Sequence, residues 1–243
     1  MKNTVGKMAR CALIFLTATT YPVVANADLL LDKVVVIFDD QKQTKKDISV
    51  INDDPDQRLF VSVEPFQVEQ PGTENESLKA LMHEETPSFL ATPNKLIVEP
   101  GSQSIVRLLN LEPNSQEERV YRINYLPIEK PPEVDSSQAA DGVAPVVEIV
   151  VAYQVLAIVL PPNPVAKPAV RRNGKRALFS NEGNANYLLS DGRQCDPSDA
   201  SRCLDLPGHR VYAGSSWSLD LPFNGPAEYN IRTPAGSRPL VVQ

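Results

Sequence analysis

Histidine is nearly absent from this chain: His83 and His209 are the two in 243 residues. Nucleophilic catalysis of the usual kind needs an imidazole beside its nucleophile, and both histidines stand in polar, loop-like surroundings with no nucleophile elbow nearby. Glycine is also sparse, at 11 residues, and none of it builds a phosphate-cradling loop or a dinucleotide fingerprint. Carboxylates are plentiful, so a glycosidase-like pair is formally available, but abundance does not set two of them across a glycosidic bond. The chain reads as a protein that is not an enzyme and needs no cofactor.

Long apolar runs are missing too. The N-terminus has Lys2, Lys7 and Arg10, then the apolar run Cys11 to Leu16, then Ala25-Asn26-Ala27, the small-x-small pattern of a signal-peptidase site. A membrane span needs about 20 apolar residues, and Thr17, Thr19, Thr20, Tyr21 and Pro22 interrupt this run early. Residues 1–27 are therefore expected to be a cleaved signal peptide, with Asp28 opening the mature chain. Its removal takes away three cations and no acid, which moves the formal net charge from −6 to −9. Such a surface disfavours nucleic acid. Of three cysteines, Cys11 leaves with the leader, and Cys195 and Cys203 remain as an even pair in an exported chain. They read as a disulfide, worth about 2.5 kcal/mol for so short a loop. A zinc site using His209 would lack a fourth ligand and the usual close cysteine spacing, so no metal is expected.

Helix signals are scarce as well, and only Glu76–Glu85 suggests a short helical turn or two. What fills the chain is strand-like runs bounded by Pro, Asn and Asp, with 22 prolines, about twice the usual share. In the first half the runs are Leu29–Phe38, Asp47–Asn52, Leu59–Val63, Lys95–Val98, Ser104–Leu109, Val120–Leu126 and Val146–Leu160. Seven short strands predict an immunoglobulin-like sandwich over residues 28–161. The proline-rich residues 162–168 read as a stiff linker. A second β domain over 169–243, stapled by the disulfide, has candidate strands Arg176–Ser180, Tyr187–Ser190, Arg210–Tyr212, Ser216–Leu221, Glu228–Arg232 and Leu240–Val242. The fold class is thus all-β, with two immunoglobulin-like sandwiches. The polar stretch Glu129–Gly142 has the composition of a mobile loop.

The most informative stretch is Val146–Pro161, sixteen residues with one charge, Glu148, and prolines at both ends. Its alternation puts Val147, Ile149, Val151, Tyr153, Val155, Ala157 and Val159 on one face, and Glu148 and Gln154 on the other. At well over the usual length of about 5–6 residues, such a strand is expected to overrun its own sheet and offer apolar side chains and backbone groups elsewhere. Burial of both faces in the protein's own core is the competing reading.

Thr92-Pro93, Val98-Glu99-Pro100-Gly101-Ser102-Gln103-Ser104-Ile105-Val106-Arg107, Glu118-Arg119-Val120-Tyr121-Arg122-Ile123 leading to Pro127, and the long apolar strand ending at Pro161 follow one another along the chain. In that order they resemble the PapD-type periplasmic chaperones of the chaperone–usher pilus pathway. In the second domain Asn181-Glu182-Gly183-Asn184, Asp191-Gly192 and the cysteine pair resemble the non-classical (alternate and archaic) groups. The resemblance implies two immunoglobulin-like domains set at an angle, like a boomerang, with a cleft between them. It implies a periplasmic location, a one-to-one complex with a pilus or fimbrial subunit, delivery to an outer-membrane usher, and no membrane insertion. Its binding mode is strand donation to the subunit's incomplete sandwich. An unloaded molecule could self-associate through the bare strand.

Aligned on Pro161 without gaps, the lending residues are Val147, Ile149, Val151, Tyr153 and Val155. At about 1.5–3 kcal/mol each, five buried side chains give roughly 7–15 kcal/mol before the costs of association. The resemblance also implies an Arg and a Lys in the cleft that hold the subunit's terminal carboxylate, but those positions are Val35 and Leu156 here. Either apolar fit sets the register, or a nearby cation such as Lys33 or Arg122 substitutes. Arg107 reads as a structural cation paired with an acid, and Trp217 as a core anchor of the second domain. Asp32 reads as a strand-edge charge, Asp39-Asp40 as a turn, and Asn52–Asp56 and Glu84-Glu85 as solvated surface. A secreted two-domain β adhesin, or a pilus subunit, stays open as the alternative, although aromatics at 6% are few for an adhesin.

Overall fold

The computed structural model describes residues 29–128 and 150–243, all of them in strands, turns or irregular segments. The signal peptide expected at 1–27, the Glu129–Gly142 stretch, Val147 and Ile149 lie outside the described residues.

Among the described residues the first sandwich has ten strands. Four form one sheet in the order β1 (Leu29–Leu31), β3 (Lys45–Asn52), β8 (Gln103–Asn110) and β6 (Phe89–Thr92). The other sheet runs β2 (Val35–Phe38), β10 (Tyr153–Val159), β9 (Arg119–Pro127), β4 (Leu59–Glu69) and β5 (Ser77–Ala80), with β7 (Lys95–Val98) also on β4. The stretch Leu29–Phe38, expected as one strand, is divided between the two sheets. Leu29–Leu31 pairs antiparallel with β3, and Val35–Phe38 pairs parallel with β10. The break falls at Asp32, whose carboxylate accepts the Ser49 N–H at 2.9 Å, so a polar side chain takes over the ladder where the chain crosses sheets.

Apolar alternation fills the space between these sheets. Ile48, Val50, Val61, Val63, Val106, Leu108, Ile123 and Val155 have no accessible surface. Phe89 stacks on Tyr121 at 4.3 Å and meets Phe38 edge-on at 5.8 Å. The Tyr121 hydroxyl pairs with Ser88 Oγ at 3.0 Å, which satisfies its polar tip inside the core. The short helix suggested over Glu76–Glu85 does not form. Ser77–Ala80 instead pairs antiparallel with the far end of β4, because Glu69 through Phe66 extend that strand beyond the expected Val63. Asn52 is likewise not solvated surface: it is fully buried, donates to the Gln57 and Val98 carbonyls, and accepts the Asp54 N–H.

The second sandwich packs a three-stranded sheet, β11 (Pro168–Asn173), β12 (Arg176–Asn181) and β16 (Ser216–Asp220), on a five-stranded one. The latter runs β14 (Asp199–Leu206), β13 (Tyr187–Asp196), β17 (Ala227–Thr233) and β18 (Gly236–Val242), with β15 (His209–Val211) on β13. Cys195 and Cys203 face each other across β13 and β14 and are disulfide-bonded. His209 lies in a strand rather than a loop, stacked 4.4 Å from Trp217, which also stacks on Phe179 at 5.4 Å. Trp217 is half-buried and packs against the core cluster.

The proline-rich run before β11 is tied to the second sandwich by the Asn181–Asn184 motif. Asn181, 2% exposed, accepts the Lys167 and Gly183 N–H groups and donates to the Ala185 and Val211 carbonyls. Asn184 Oδ1 accepts the Val165 N–H at 2.7 Å, and its own N–H donates to the Val165 carbonyl at 2.9 Å. Gly183 is required for the approach, since a Cβ there would stand 2.1 Å from the Val165 oxygen. Gly183→Ala should therefore lower stability by about 1–3 kcal/mol, the range for overpacking a tight contact, read as a drop in urea midpoint with an unchanged slope.

Candidate functional site

β10 is the strand into which the expected lending face runs, and it differs from the residues just before it. From Val155 onward it is sealed: Val155 and Ala157 are 0% exposed and Val159 is 2% exposed, all in the first core. The opposite face is covered as well, because Ile158, fully buried, clusters with Leu160, Ala185, Leu156 and Tyr212 where the two sandwiches meet. On the N-terminal side the strand opens out. Val151 and Val150 are 38% and 44% exposed, and ladder pairing with β9 begins only at Tyr153 opposite Tyr125.

Of the five expected lending residues, Val151 is exposed, Tyr153 is half-buried against the first core and Val155 is buried in it, while Val147 and Ile149 lie outside the described residues. The parity of a strand is the reason: side chains two apart share a face, so residues aligned with the core stay with the core until the sheet ends. Of the strand expected over 146–160, the described residues form a regular strand over Tyr153–Val159, and 146–149 lie outside them.

The cleft positions inferred by alignment are brought together. Leu156 is the direct partner of Val35 across the parallel β10–β2 pair and of Arg122 across the antiparallel β10–β9 pair. The row continues to Phe66 on β4 and Ala80 on β5. Its exposed end is apolar, with Val34, Val35 and Ile37 at 47%, 45% and 37% exposure. Both candidate substitute cations are already engaged. Arg122 donates from Nη2 to Glu76 Oε1 at 2.6 Å, and the same carboxylate accepts the Gly72 N–H at 2.8 Å. Lys33 bonds the Asp32 carboxylate and the Asp47 carbonyl, each at 2.9 Å. Arg107 forms the expected acid pair, a two-pronged contact with Asp47 at 2.8 and 3.0 Å. It is exposed on both partners, so solvent screens it and it contributes little to stability.

One carboxylate links the sandwiches, and no role for it was foreseen from sequence. Glu118, just before β9, accepts through Oε2 the Asn186 backbone N–H at 2.7 Å and the Asn186 Nδ2 at 2.5 Å. Asn186 in turn accepts from Arg210 through Oδ1. Among the described residues the second carboxylate oxygen, Oε1, is buried with no hydrogen bond of ordinary geometry. Burial pushes the Glu118 carboxyl above the ordinary glutamate range, against the opposing effect of the Asn186 hydrogen bonds, the Ala213 backbone N–H and the Arg210 charge. Nothing in the residue pattern marks Glu118 apart from its neighbour Glu117, because its partners come from 68 residues further along the chain. Among the described residues no cluster of acids, histidines and cysteines could hold a metal ion, and no helix is long and apolar enough to cross a membrane.

No family model and no curated protein matches the chain. Solved structures do. The Escherichia coli chaperone DraB is 19% identical, with 88% of this chain and 95% of that one covered and a TM-score of 0.58. The class 5 fimbriae chaperone CfaA is 16% identical, covering 88% and 99%, with a TM-score of 0.58. A chain of the Salmonella enterica SafA pilin–SafB chaperone complex is 15% identical, covering 90% and 98%, with a TM-score of 0.59. These likenesses establish the fold: the chain has the two-sandwich immunoglobulin-like architecture of the fimbrial chaperones.

The Glu118 contact gives a pH dependence whose sign follows from its direction of shift. A folded-state value raised above the unfolded one means that the folded form favours the proton. The corresponding stability is complete below the unfolded value and is lost as pH rises through the folded value. Glu118→Gln keeps an acceptor for Asn186 and removes the charge. It should flatten the loss of stability seen by urea unfolding as pH is raised from about 4 toward 7, and leave the variant more stable than the parent at neutral pH.

Proposed function

We propose that this chain is a periplasmic assembly chaperone that binds pilus or fimbrial subunits one-to-one, lends them a strand, and passes them to an outer-membrane usher. The single observation that carries the reading is the divided strand: exposed Val150 and Val151 lead directly into a segment locked by Val155, Ala157 and Val159. A strand held at one end and bare at the other can enter a neighbour's sheet without unfolding its own. The fold likeness supports the same reading, since structures sharing it include complexes of such chaperones with a pilin and with tip adhesins.

The lending set in this reading is Val147, Ile149 and Val151, the part of the alternation that precedes the sealed half. Three such side chains give roughly 4.5–9 kcal/mol on burial, before ordering and association costs are subtracted. That is well below the figure for five and suits a complex that must be handed on. Val35, Ile37 and Leu156 supply an apolar cleft floor, while Glu76 holds Arg122 and Asp32 holds Lys33. In this reading the subunit's end docks by apolar fit. Residues 28–161 form the lending domain, 162–168 the linker and 169–243 the second domain, and export through a cleaved signal peptide places the chain in the periplasm.

Two substitutions on one strand separate lending from folding. Val151→Asp should abolish co-purification of a co-expressed subunit and leave the thermal midpoint of the free protein unchanged. Val155→Asp should unfold the first sandwich, since an unpaired buried charge costs about 3–5 kcal/mol. Wild-type subunit binding by Val151→Asp would refute strand lending. For the cleft, Arg122→Ala and Lys33→Ala should each change subunit affinity less than about threefold, within about 0.7 kcal/mol. A loss of binding in either would mean that an ionic anchor operates.

A further inference from the structure

The second sandwich has an open sheet edge whose charge differs from the rest of the molecule. Residues 28–161 hold 11 Lys and Arg against 23 Asp and Glu, whereas residues 162–243 hold 10 against 7. The excess is concentrated: from Pro162 to Asn181 the chain has five cations, Lys167, Arg171, Arg172, Lys175 and Arg176, and no acid. These residues build β11 and β12, and β11 is the terminal strand of its sheet, paired on one side with β12 and on the other with nothing among the described residues.

Register decides which cations are available. Arg172 faces inward, where its guanidinium donates to the carbonyls of Gly174, Gly225, Phe223 and Val242, so it is structural. Arg171 faces outward beside Leu178, which is 40% exposed, and Arg176 lies beside Asn173 on the same face. The remaining outward positions are small: Ala169, Ser180, Ser216 and Ser218, with Asp220 opposite Arg176. Among the described residues Arg171 makes no hydrogen bond or ion pair, while Arg176 reaches Ser218 Oγ at 3.4 Å and Lys175 the Pro222 carbonyl at 2.8 Å. The inward alternate on β11 is Val170, half-buried against the second core.

We propose that the free edge of β11 is a docking site for an extended acidic segment of another polypeptide, added as a further strand. The required pattern follows from the pleat: carboxylates at alternate positions lie in row with Ala169, Arg171 and Asn173, and small apolar side chains between them lie in row with Val170. Charge complementarity argues for this occupant. An acidic partner is repelled by the first half of the chain and finds its attractive surface on this hairpin, so the field also sets the direction of approach. A polyanion without backbone donors would use the arginines alone, whereas a peptide strand also uses the β11 edge and the Leu178 face.

The test uses the full mature chain and three probes: an alternating Glu-Val decapeptide, the matching Lys-Val decapeptide, and inorganic polyphosphate. The acidic peptide should bind, shift the amide resonances of 168–180 and protect those of β11 from exchange, and weaken steeply with salt over about 50–200 mM. Arg171→Glu with Arg176→Glu should weaken it by at least about tenfold, equivalent to about 1.4 kcal/mol, with no change in thermal midpoint. Leu178→Ser should weaken the peptide and leave polyphosphate unaffected. Absence of binding by the acidic peptide, equal binding of the basic one, or polyphosphate binding with peptide shifts confined to the arginines would each overturn the proposal. So would aggregation of Arg171→Val in a protein whose parent ignores all three probes, which would make Arg171 only a guard of the edge.

Discussion

The first sandwich depends on the pairing of β10 with two strands of opposite direction, parallel to β2 and antiparallel to β9. A strand in that position is held by ladders on both sides and, from Leu156 to Val159, by apolar cover on both faces. Pairing this complete fixes its C-terminal half. Because side chains alternate, the same fixation determines which of the preceding residues can face outward and where the sheet stops claiming them. Val150 and Val151 precede the first paired residue, Tyr153, and are exposed.

The junction of the sandwiches is built from two kinds of contact with different tolerances. The apolar one, Ile158, Leu160 and Ala185 with Leu156 and Tyr212, is non-directional and contributes through burial. The polar one, Glu118 on Asn186 and Asn186 on Arg210, is directional and places a carboxylate where water reaches it poorly. Such a group fixes relative placement at an energetic cost, which is why its second oxygen, buried with no hydrogen bond of ordinary geometry among the described residues, is notable. The Asn181–Asn184 motif adds a third fixed point by binding the proline-rich run along its backbone. That run is therefore a docked element of the second sandwich rather than a free spacer.

Charge is unevenly shared in a way that fits this division of labour. The acidic first half keeps its cleft cations neutralised by close carboxylates, as Arg122 and Lys33 show. On the basic hairpin of β11 and β12, Arg171 faces outward with no carboxylate paired to it among the described residues, and Arg176 stands across the ladder from Asp220. An arginine with a partner and one without differ in what they can do, although composition counts them alike.

Much of the fold was legible in the sequence because its signals are local. Alternating Val, Ile and Leu runs located β3, β4, β7, β8, β9 and β12, and the cysteine pair predicted its own disulfide. Val35 and Leu156, singled out by alignment from distant parts of the chain, are direct partners across β10 and β2. The failures have non-local causes. Leu29–Phe38 reads as one apolar run, yet two different partner strands divide it at Asp32. Ser77–Ala80, exposed along its whole length, lacks any alternation that could announce it as a strand and exists because β4 offers an edge. Val155 and Val151 are identical residues in one apolar alternation, and pattern alone assigns them one role, yet the regular strand begins at Tyr153 and leaves Val151 before it. Local periodicity could determine that the alternation exists, because the pleat of a strand has a fixed period of two. Only the tertiary structure could decide that Val155 is sealed and Val151 bare, because that depends on where β9 and the opposing sheet end.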